Sequence, residues 1–269
     1  MNAGIFDPEA DQKRYERFIQ ADAPSKIYSI LFTPRSGSSW LTSILTETKA
    51  MGTPEEWFNP QLMPSSTRSK GARNLDQFIQ AISRHRIHGG VFGFEITFHQ
   101  LSAVFGSRDN FMYRFHDAQF FWLIRRDIVS QGVSLDKMVQ TNISHAPTVD
   151  ASEIGNRDDH YRYDSSRIKK WIQHIRAAEI GTEKMISEYG LRPTRLSYEG
   201  MVSMGVQEVV GIFASQLGVN LPTLGDISSG HRKIATSKND EFSKRFSVEN
   251  QEFLKDISAG RADMLSQHN

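Results

Sequence analysis

The chain has 269 residues, of which 38% are hydrophobic and 23% are charged, and these values are ordinary for a soluble globular protein. Its 32 basic and 31 acidic residues give a net charge of +1, which argues against general binding of nucleic acid or of an acidic membrane but allows a local basic pocket. The chain has no cysteine, so disulfide bonds and thiolate metal sites are excluded.

The N-terminal segment and the hydropathy pattern predict where the protein resides. Residues 1–20 (MNAGIFDPEADQKRYERFIQ) carry acidic side chains where a signal peptide needs an apolar stretch. No run in the sequence approaches the roughly 18–20 apolar residues of a membrane-spanning helix. We therefore expect no membrane span and a cytoplasmic location.

The first half of the chain alternates apolar, β-rich runs with helical patterns. Three runs predict buried strands: 27–32 (IYSILF), 91–96 (VFGFEI) and 119–124 (QFFWLI). Apolar residues at helical spacing predict three helices: 41–51, 74–86 with Asn74 as its cap, and 97–105. The stretch 52–71 is punctuated by glycine and proline, which predicts an irregular functional loop.

The second half is richer in helical patterns. The predicted helices are 127–141, which begins with Asp127, 165–190, 206–218 and about 248–266. A charge-rich surface loop is predicted at 144–165 and a short strand at 194–199 (TRLSYE). The alternation predicts an α/β fold, a P-loop-like parallel sheet flanked by helices on both faces, with a helical C-terminal part. Residues 1–269 show no repeat or linker, so we expect a single domain.

The join between the first strand and the first helix reads TPRSGSSW, residues 33–40. In a strand–loop–helix unit the loop N–H groups and the helix N-terminus converge on one point, where they bind an anion. Gly37 lets the backbone approach a ligand, and Arg35 supplies a planar, permanently charged fork for oxyanions. Ser36, Ser38 and Ser39 add hydroxyl donors. A serine-rich turn that only caps a helix is the structural alternative.

A second basic junction repeats this arrangement. The strand QFFWLI is followed by Arg125 and Arg126, and then by a helix that carries Ser130 and Ser134. Ligands of parallel α/β sheets bind outside the carboxyl ends of the strands, which is where both junctions lie. Two neighbouring anion sites suit a nucleotide with a phosphate at both ends of its ribose, although two arginines that merely solvate a strand end would give the same pattern.

Several motifs together resemble a known family. The loop PRSGSSW resembles the P-K-S-G-T-T-W loop of sulfotransferases that use 3′-phosphoadenosine 5′-phosphosulfate (PAPS), and more closely the Q-R-S-G-S-T loop of the bacterial trehalose sulfotransferase family. In the same order, GTPEEWF (52–58) is similar to that family's G-E-P-Q-E-F-F, and LIRRDIVSQGVS (123–134) to its H-R-P-D-V-V-S-Q-A-V-S. The segment HRKIATSKNDEFSKRFS (231–247) is similar to the C-terminal loop of such enzymes.

The resemblance implies a role for each junction in binding PAPS as the sulfuryl donor, without a metal. Residues of the first loop would hold the 5′-phosphosulfate: Arg35, Ser36, Gly37, Ser38 and Ser39. Arg125 would hold the 3′-phosphate together with Ser130 or Ser134, since the spacing leaves both serines eligible, with a slight preference for Ser134. Arg232 and Lys233 would close over the nucleotide, and Tyr198 and Glu199 would approach the adenine side.

Sulfuryl transfer also needs a base for the proton of the acceptor hydroxyl, and positive charge at the leaving phosphate, a catalytic role that suits Arg35. The resemblance favours Glu56, which stands at the second glutamate of G-E-P-Q-E-F-F, with Trp57 and Phe58 placed to desolvate it. Glu95, at the end of the second strand, is the rival base. His85, His88 and His99 are eligible on chemistry alone.

The acceptor is defined only as a class. The helix after Arg125 lacks the tryptophans typical of trehalose sulfotransferases, so we expect a carbohydrate or glycolipid hydroxyl in place of trehalose itself. Expected partners are this small-molecule or glycan acceptor and no nucleic acid, and a homodimer is compatible with the sequence. The alternatives are a P-loop kinase, for which the G-K-[ST] ending is missing, and a non-catalytic protein that has kept the fold.

Overall fold

The computed structural model describes residues 4–141, 158–221, 227 and 236–268. Its centre is a sheet of four strands in the order β2-β1-β3-β4, and all three pairings are parallel. The strands are β1 (Lys26–Phe32), β2 (Val91–Thr97), β3 (Gln119–Ile124) and β4 (Thr194–Ser197). Phe32 at the end of β1 lies opposite Thr97 of β2 and Leu123 of β3, so the carboxyl ends of these three strands are level.

Helices follow the strands throughout the described chain. In the first half they are α1 (Gln12–Ile19), α2 (Ser38–Glu47), α3 (Met63–Lys70), α4 (Leu75–His85), α5 (Phe98–Phe105) and α6 (Arg108–Phe115). In the second half they are α7 (Ile128–Thr141), α8 (Ser165–Glu188), α9 (Tyr198–Met204), α10 (Val206–Leu217), α11 (Ser237–Glu249) and α12 (Gln251–Ser266). None of them is both long enough and apolar enough to cross a membrane, as far as the structure describes the chain.

The two faces of the sheet pack into separate hydrophobic clusters. Phe92, Phe94 and Ile96 of β2 point to one face, where they pack with residues of α3 to α6. On the other face, Tyr28 and Ile30 of β1 pack with residues of α2 and α10. Successive side chains of a strand alternate between faces, and here both sets are apolar because helices cover both. The predicted α/β fold with helices on both faces is confirmed.

A third cluster lies beside the sheet and contains only helices and the segment before α8. Val133 of α7, Ile172 of α8 and Phe246 of α11 are fully buried in it. Gly132 allows the close approach of α7 and α8, since a Cβ atom there would lie 2.7 Å from Cγ1 of Ile172. This packing fixes the direction in which α7 leaves β3, and it accounts for the helical C-terminal part that the sequence predicts.

The main departures from the predicted elements are additional helices. The stretch 52–71 was expected to be irregular throughout but contains α3, and α1, α6 and α11 were not predicted. The strand expected at 194–199 ends at Ser197, because the Ser197 hydroxyl accepts a hydrogen bond from the Gly200 N–H and thereby caps α9. Residues 142–157, most of the predicted surface loop, lie outside the described chain.

Candidate active site

The candidate site lies where the strand order reverses. From β1 the chain continues to β2 on one side, and it then crosses to β3 on the other side of β1. Loops at such a switch point diverge and leave a crevice outside the carboxyl ends of the strands. Residues 33–37 follow β1 and residues 125–127 follow β3, so the fold brings the two basic junctions of the sequence to the two sides of this crevice.

The loop after β1 has the backbone of an anion-binding turn. Arg35 and Gly37 both adopt positive φ angles, of 64° and 87°, and α2 begins directly after Gly37. The first N–H groups of α2 therefore point out of the helix towards the crevice. Gly37 is required for a second reason, because a Cβ atom there would lie 2.6 Å from Cδ2 of the Tyr198 ring. The loop combines a left-handed turn with a helix N-terminus.

The serines of this loop face different partners. The Ser36 side chain is fully buried, and its Oγ has no hydrogen-bond partner among the described residues. The buried Ser38 hydroxyl is hydrogen-bonded to Glu95, whereas Ser39 is half-buried in the first turn of α2. A buried hydroxyl without a partner is costly, so Ser36 suits a loop that closes around a polar ligand.

Two arginines approach each other across the crevice. Nε of Arg35 donates a hydrogen bond to Oγ of Ser134 at 3.0 Å, and Nη1 of Arg125 lies 3.5 Å from the Arg35 carbonyl oxygen. The Arg125 guanidinium also stacks over the Tyr198 ring, 5.0 Å from its centroid. Burial, followed by the charge of Arg125, lowers the pKa of Arg35. Like charges held this closely favour a bound anion between them.

Helix α7 fixes both junctions with residues of its first two turns. Nε2 of Gln131 donates to Oγ1 of Thr33 at 2.9 Å and to the Pro34 carbonyl at 2.7 Å, which ties α7 to the first loop. Oδ1 of Asp127 accepts a hydrogen bond from the Ser130 N–H at 2.9 Å and caps the helix. Ser130 therefore lies in the first turn of α7, whereas Ser134 lies one turn further on, in contact with Arg35.

Glu199 holds the second junction from the start of α9. Its two carboxylate oxygens accept hydrogen bonds from the backbone N–H groups of Arg126 and Asp127, at 2.9 and 3.2 Å. Its Oε1 also lies 4.0 Å from Nε of Arg125. The carboxylate thus shapes the backbone that presents Arg125 and adds a nearby negative charge to that side chain.

Glu56 reaches the crevice on a segment that runs beside β2. The Glu95 N–H donates to the Glu55 carbonyl at 3.1 Å, which makes residue 55 a short extension of the sheet edge. The half-buried Glu56 carboxylate accepts hydrogen bonds from Nδ2 of Asn59, at 3.0 Å, and from Nε2 of Gln100. Oε1 of Gln100 in turn accepts from the Thr97 N–H at 2.9 Å, so the end of β2 orients the Glu56 carboxylate.

Glu95 is the second carboxyl group near this point. Its side chain is only 5% exposed, and Oε2 has no hydrogen-bond partner among the described residues. Burial raises the pKa of Glu95 well above its ordinary value, and the neighbouring Glu56 raises it further, although the hydrogen bond with Ser38 opposes both effects. Glu95 therefore lies beneath the first loop, and its environment favours the protonated form.

The family comparison agrees with this geometry. Residues 27–249 match the model of the Stf0 sulphotransferase family. The chain belongs to this family. The matched range includes both basic junctions and Glu56, and the expected membership of the trehalose sulfotransferase family is thereby confirmed. A search of curated proteins found no match. Membership of the Stf0 family supports sulfuryl transfer in general.

The histidines separate into two groups in this Stf0 protein. His85 and His88 precede β2, whose seven residues span about 20 Å, so they lie at the far end of the sheet from the crevice. His99 lies in the first turn of α5, next to Gln100, and its ring stacks on that of His174 at 3.9 Å. Nε2 of His99 also lies 3.3 Å from the His174 carbonyl oxygen, so this ring is held against α8.

The remaining predicted residues of the Stf0 site are two basic residues near the C-terminus and two aromatic residues beside Glu56. Arg232 and Lys233 lie outside the described residues. Trp57 and Phe58 were expected to desolvate Glu56, but Phe58 is fully buried among the phenylalanine rings of the core, and Nε1 of Trp57 donates to the Thr53 carbonyl at 3.1 Å. Their role is to anchor the segment that carries Glu56.

Within the described chain there is no group of three or more His, Asp or Glu side chains that could hold a metal ion.

Two positioning residues of the site were missed from the sequence. Gln131 resembles an ordinary polar helix residue, and nothing in its neighbourhood along the chain indicates a bond to a loop almost one hundred residues earlier. Gln100 did have a signal, because Thr97 and Gln100 form the T-x-x-Q pattern of a capping box, and the structure contains that box. The pattern predicts the helix start, whereas the bond of Gln100 to Glu56 depends on the fold.

Proposed function

We propose that the protein transfers the sulfuryl group of PAPS to a hydroxyl group of a carbohydrate or glycolipid, with Glu56 as the general base. The observation that carries this proposal is the meeting of two arginine junctions at the switch point of a parallel sheet, with Arg35 bonded to Ser134. One anion site at each junction suits a nucleotide that bears phosphate on both the 5′ and the 3′ side of its ribose.

The first loop is proposed to bind the 5′-phosphosulfate. The N-terminus of α2, the buried hydroxyl of Ser36 and the Arg35 side chain supply donors for its oxygens, with Gly37, Ser38 and Ser39 completing the turn. Arg125 and a serine of α7 are proposed to bind the 3′-phosphate. Both serines stay candidates: the Ser134 hydroxyl accepts a hydrogen bond from Arg35 and keeps its own proton to donate, and Ser130 lies in the first turn of α7. Arg232 and Lys233 are proposed to cover the nucleotide.

Transfer follows from the position of these groups. PAPS supplies a sulfuryl group on a good leaving group. The acceptor oxygen forms a bond to sulfur while the bond from sulfur to the 5′-phosphate oxygen breaks, and Glu56 takes the acceptor proton. Arg35 and the N–H groups of α2 stabilise the negative charge that builds on the departing phosphate. The products are the sulfated acceptor and adenosine 3′,5′-bisphosphate.

Glu56 is favoured over Glu95 because of its surroundings. Glu56 is half-buried at the edge of the crevice and is oriented by Asn59 and Gln100, as a base within reach of an incoming hydroxyl should be. Glu95 is only 5% exposed and is hydrogen-bonded to Ser38 beneath the loop, so it is less accessible to an incoming hydroxyl than Glu56. Its hydrogen bond with Ser38 supports a role in holding the phosphosulfate loop.

Titration of the protein with three nucleotides tests the proposal. Thermal unfolding is followed with adenosine 3′,5′-bisphosphate, with 5′-AMP, and with ATP plus magnesium, since a ligand that binds the folded state more tightly raises Tm further at a given concentration. The proposal expects the bisphosphate to give the largest shift. A larger shift with ATP and magnesium would point to a P-loop kinase and overturn the proposal, and bisphosphate binding without transfer to any glycan acceptor would favour a non-catalytic protein.

A further inference from the structure

We propose that Arg261 of α12 is a positioning residue for the 3′-phosphate site, and this inference rests on the proposed function. Arg261 lies beyond residue 249, where the family match ends. It is 2% exposed, which is unusual for an arginine, and its guanidinium reaches from the last helix to the end of β3. No motif of the sequence connected this helix with the nucleotide.

The guanidinium of Arg261 contacts the backbone of the second basic junction directly. Nη2 donates to the Arg125 carbonyl at 2.7 Å, and Nη1 donates to the Arg126 carbonyl at 2.8 Å. These two carbonyls follow the last residue of β3, where the pairing of β3 with its neighbours has ended. Arg261 therefore gives the Arg125 carbonyl a hydrogen bond that the sheet no longer provides, and it adds a second donor to the Arg126 carbonyl, which also accepts from the Ile128 N–H at 3.0 Å.

A fully buried carboxylate orients the same guanidinium. Nε and Nη2 of Arg261 donate to the two oxygens of Glu179 at 3.0 and 2.7 Å, in a bidentate pair. Glu179 belongs to α8 and is 0% exposed, so the pair is shielded from solvent and its planar geometry leaves the guanidinium little freedom. The structure thus holds the backbone at Arg125 by a chain of contacts from α8 through α12.

The residues after α12 make a second connection to the same junction. Nη2 of Arg126 donates to the His268 carbonyl, and the buried His268 ring packs edge-on against Trp122 of β3, with 4.7 Å between centroids. Glu199 binds the N–H groups of Arg126 and Asp127, as described above. Hydrogen bonds thus hold both the carbonyl and the N–H groups of this junction. The backbone of the junction is therefore rigid, and it fixes the direction in which the Arg125 side chain leaves the chain.

The test compares two variants that differ only at Arg261. Removal of Arg261 alone would take the bidentate partner from the buried Glu179 carboxylate and leave the contact with Nη1 of Arg176, at 3.3 Å, to balance its charge. The informative variant is therefore the double substitution Glu179→Gln with Arg261→Met, and the single substitution Glu179→Gln is its matched control. Dissociation constants for adenosine 3′,5′-bisphosphate and for 5′-AMP are measured by calorimetry on both. Relative to the control, the double variant is expected to bind the bisphosphate about 10- to 100-fold more weakly, with 5′-AMP changed by less than about 3-fold.

The conservative variant Arg261→Lys keeps the positive charge but lacks the planar guanidinium that binds both carbonyls and Glu179. This variant is measured whether or not the double variant folds. It is expected to shift the ratio of the two dissociation constants in the same direction by a smaller factor. An unchanged ratio in both variants, or an equal loss for both nucleotides, would overturn the role of Arg261 while the proposed function stands. A wild-type protein that does not prefer the bisphosphate to 5′-AMP would overturn both.

Discussion

Nε of Arg35 and Oγ of Ser134 lie 3.0 Å apart, although ninety-nine residues separate them in the chain. The loop after β1 and the helix after β3 therefore meet side chain to side chain at the carboxyl edge of the sheet. In the proposed function this contact lies between the 5′-phosphosulfate and the 3′-phosphate. The effects of substitutions on the two sides of it should consequently differ between nucleotides that carry one phosphate and those that carry two.

Arg125→Ala is expected to weaken binding of adenosine 3′,5′-bisphosphate by about 2–4 kcal/mol, because a charge-assisted contact to the 3′-phosphate is lost. Binding of 5′-AMP should change little, since that nucleotide has no 3′-phosphate. Calorimetric titration of both ligands measures the difference. Equal losses for the two nucleotides would remove Arg125 from the 3′-phosphate role.

Arg35→Ala is expected to reduce the rate of sulfuryl transfer more than it reduces nucleotide affinity, because negative charge builds on the leaving phosphate during the reaction. Arg35→Lys should retain part of the rate, since related loops carry lysine at this point. The comparison needs kcat for transfer beside the dissociation constant of the bisphosphate. A rate that stays at the wild-type value in the alanine variant would contradict the assignment.

Glu56→Gln is expected to lower turnover by about 10²–10⁴-fold while nucleotide binding is retained, which is the usual contribution of a positioned base. Glu95→Gln should cost much less, because Glu95 lies beneath the loop and the amide can keep a hydrogen bond to Ser38. Single-turnover transfer to an accepted glycan measures both rates. An inactive Glu95→Gln enzyme beside an active Glu56→Gln enzyme would reverse the ranking of the two carboxylates.

The raised pKa of Glu95 predicts how stability depends on pH. In the unfolded chain a glutamate ionises near pH ~4.3, whereas folded Glu95 keeps its proton to a higher pH. The folded state then binds more protons above about pH 4.3, so the contribution of Glu95 to the free energy of unfolding falls as pH rises towards its folded pKa. Urea unfolding of wild type and Glu95→Gln between about pH 4 and 9 should show the variant gaining relative stability with pH. A constant difference would exclude this linkage.

Gly37→Ala is expected to destabilise the protein by about 1–3 kcal/mol and to weaken nucleotide binding, because the new Cβ would meet the Tyr198 ring and the residue would be held at a φ of 87°. Gly211→Ala is the matched control. Gly211 lies inside α10, where an added methyl group would meet open space, so the same substitution there should stabilise by about 0.5–1 kcal/mol. Thermal unfolding with and without the bisphosphate distinguishes the two variants.

The sequence predicted the parts of this site that depend on local pattern. The apolar runs located β1 and β3 to within a residue, and the basic residues directly after them identified both junctions, because strand ends and helix starts have short-range signals. The contact of Gln131 with Thr33 and the reach of Arg261 to β3 had no such signal. Both depend on helices packing across the sheet, which residue spacing along the chain does not encode. The same limit applies to Gln100 and Glu56.

Four polar residues at the start of α7 serve the site or cap the helix, and they stand at positions 127, 130, 131 and 134, which form one stripe of an α-helix. A single substitution in this stripe changes one contact and leaves the other three in place, so the site can accept such substitutions one after another. An insertion or deletion has a larger effect, because one added or lost residue rotates all later side chains by about 100° around the helix axis. Descendants of this chain are therefore expected to keep the length of the interval from Asp127 to Ser134.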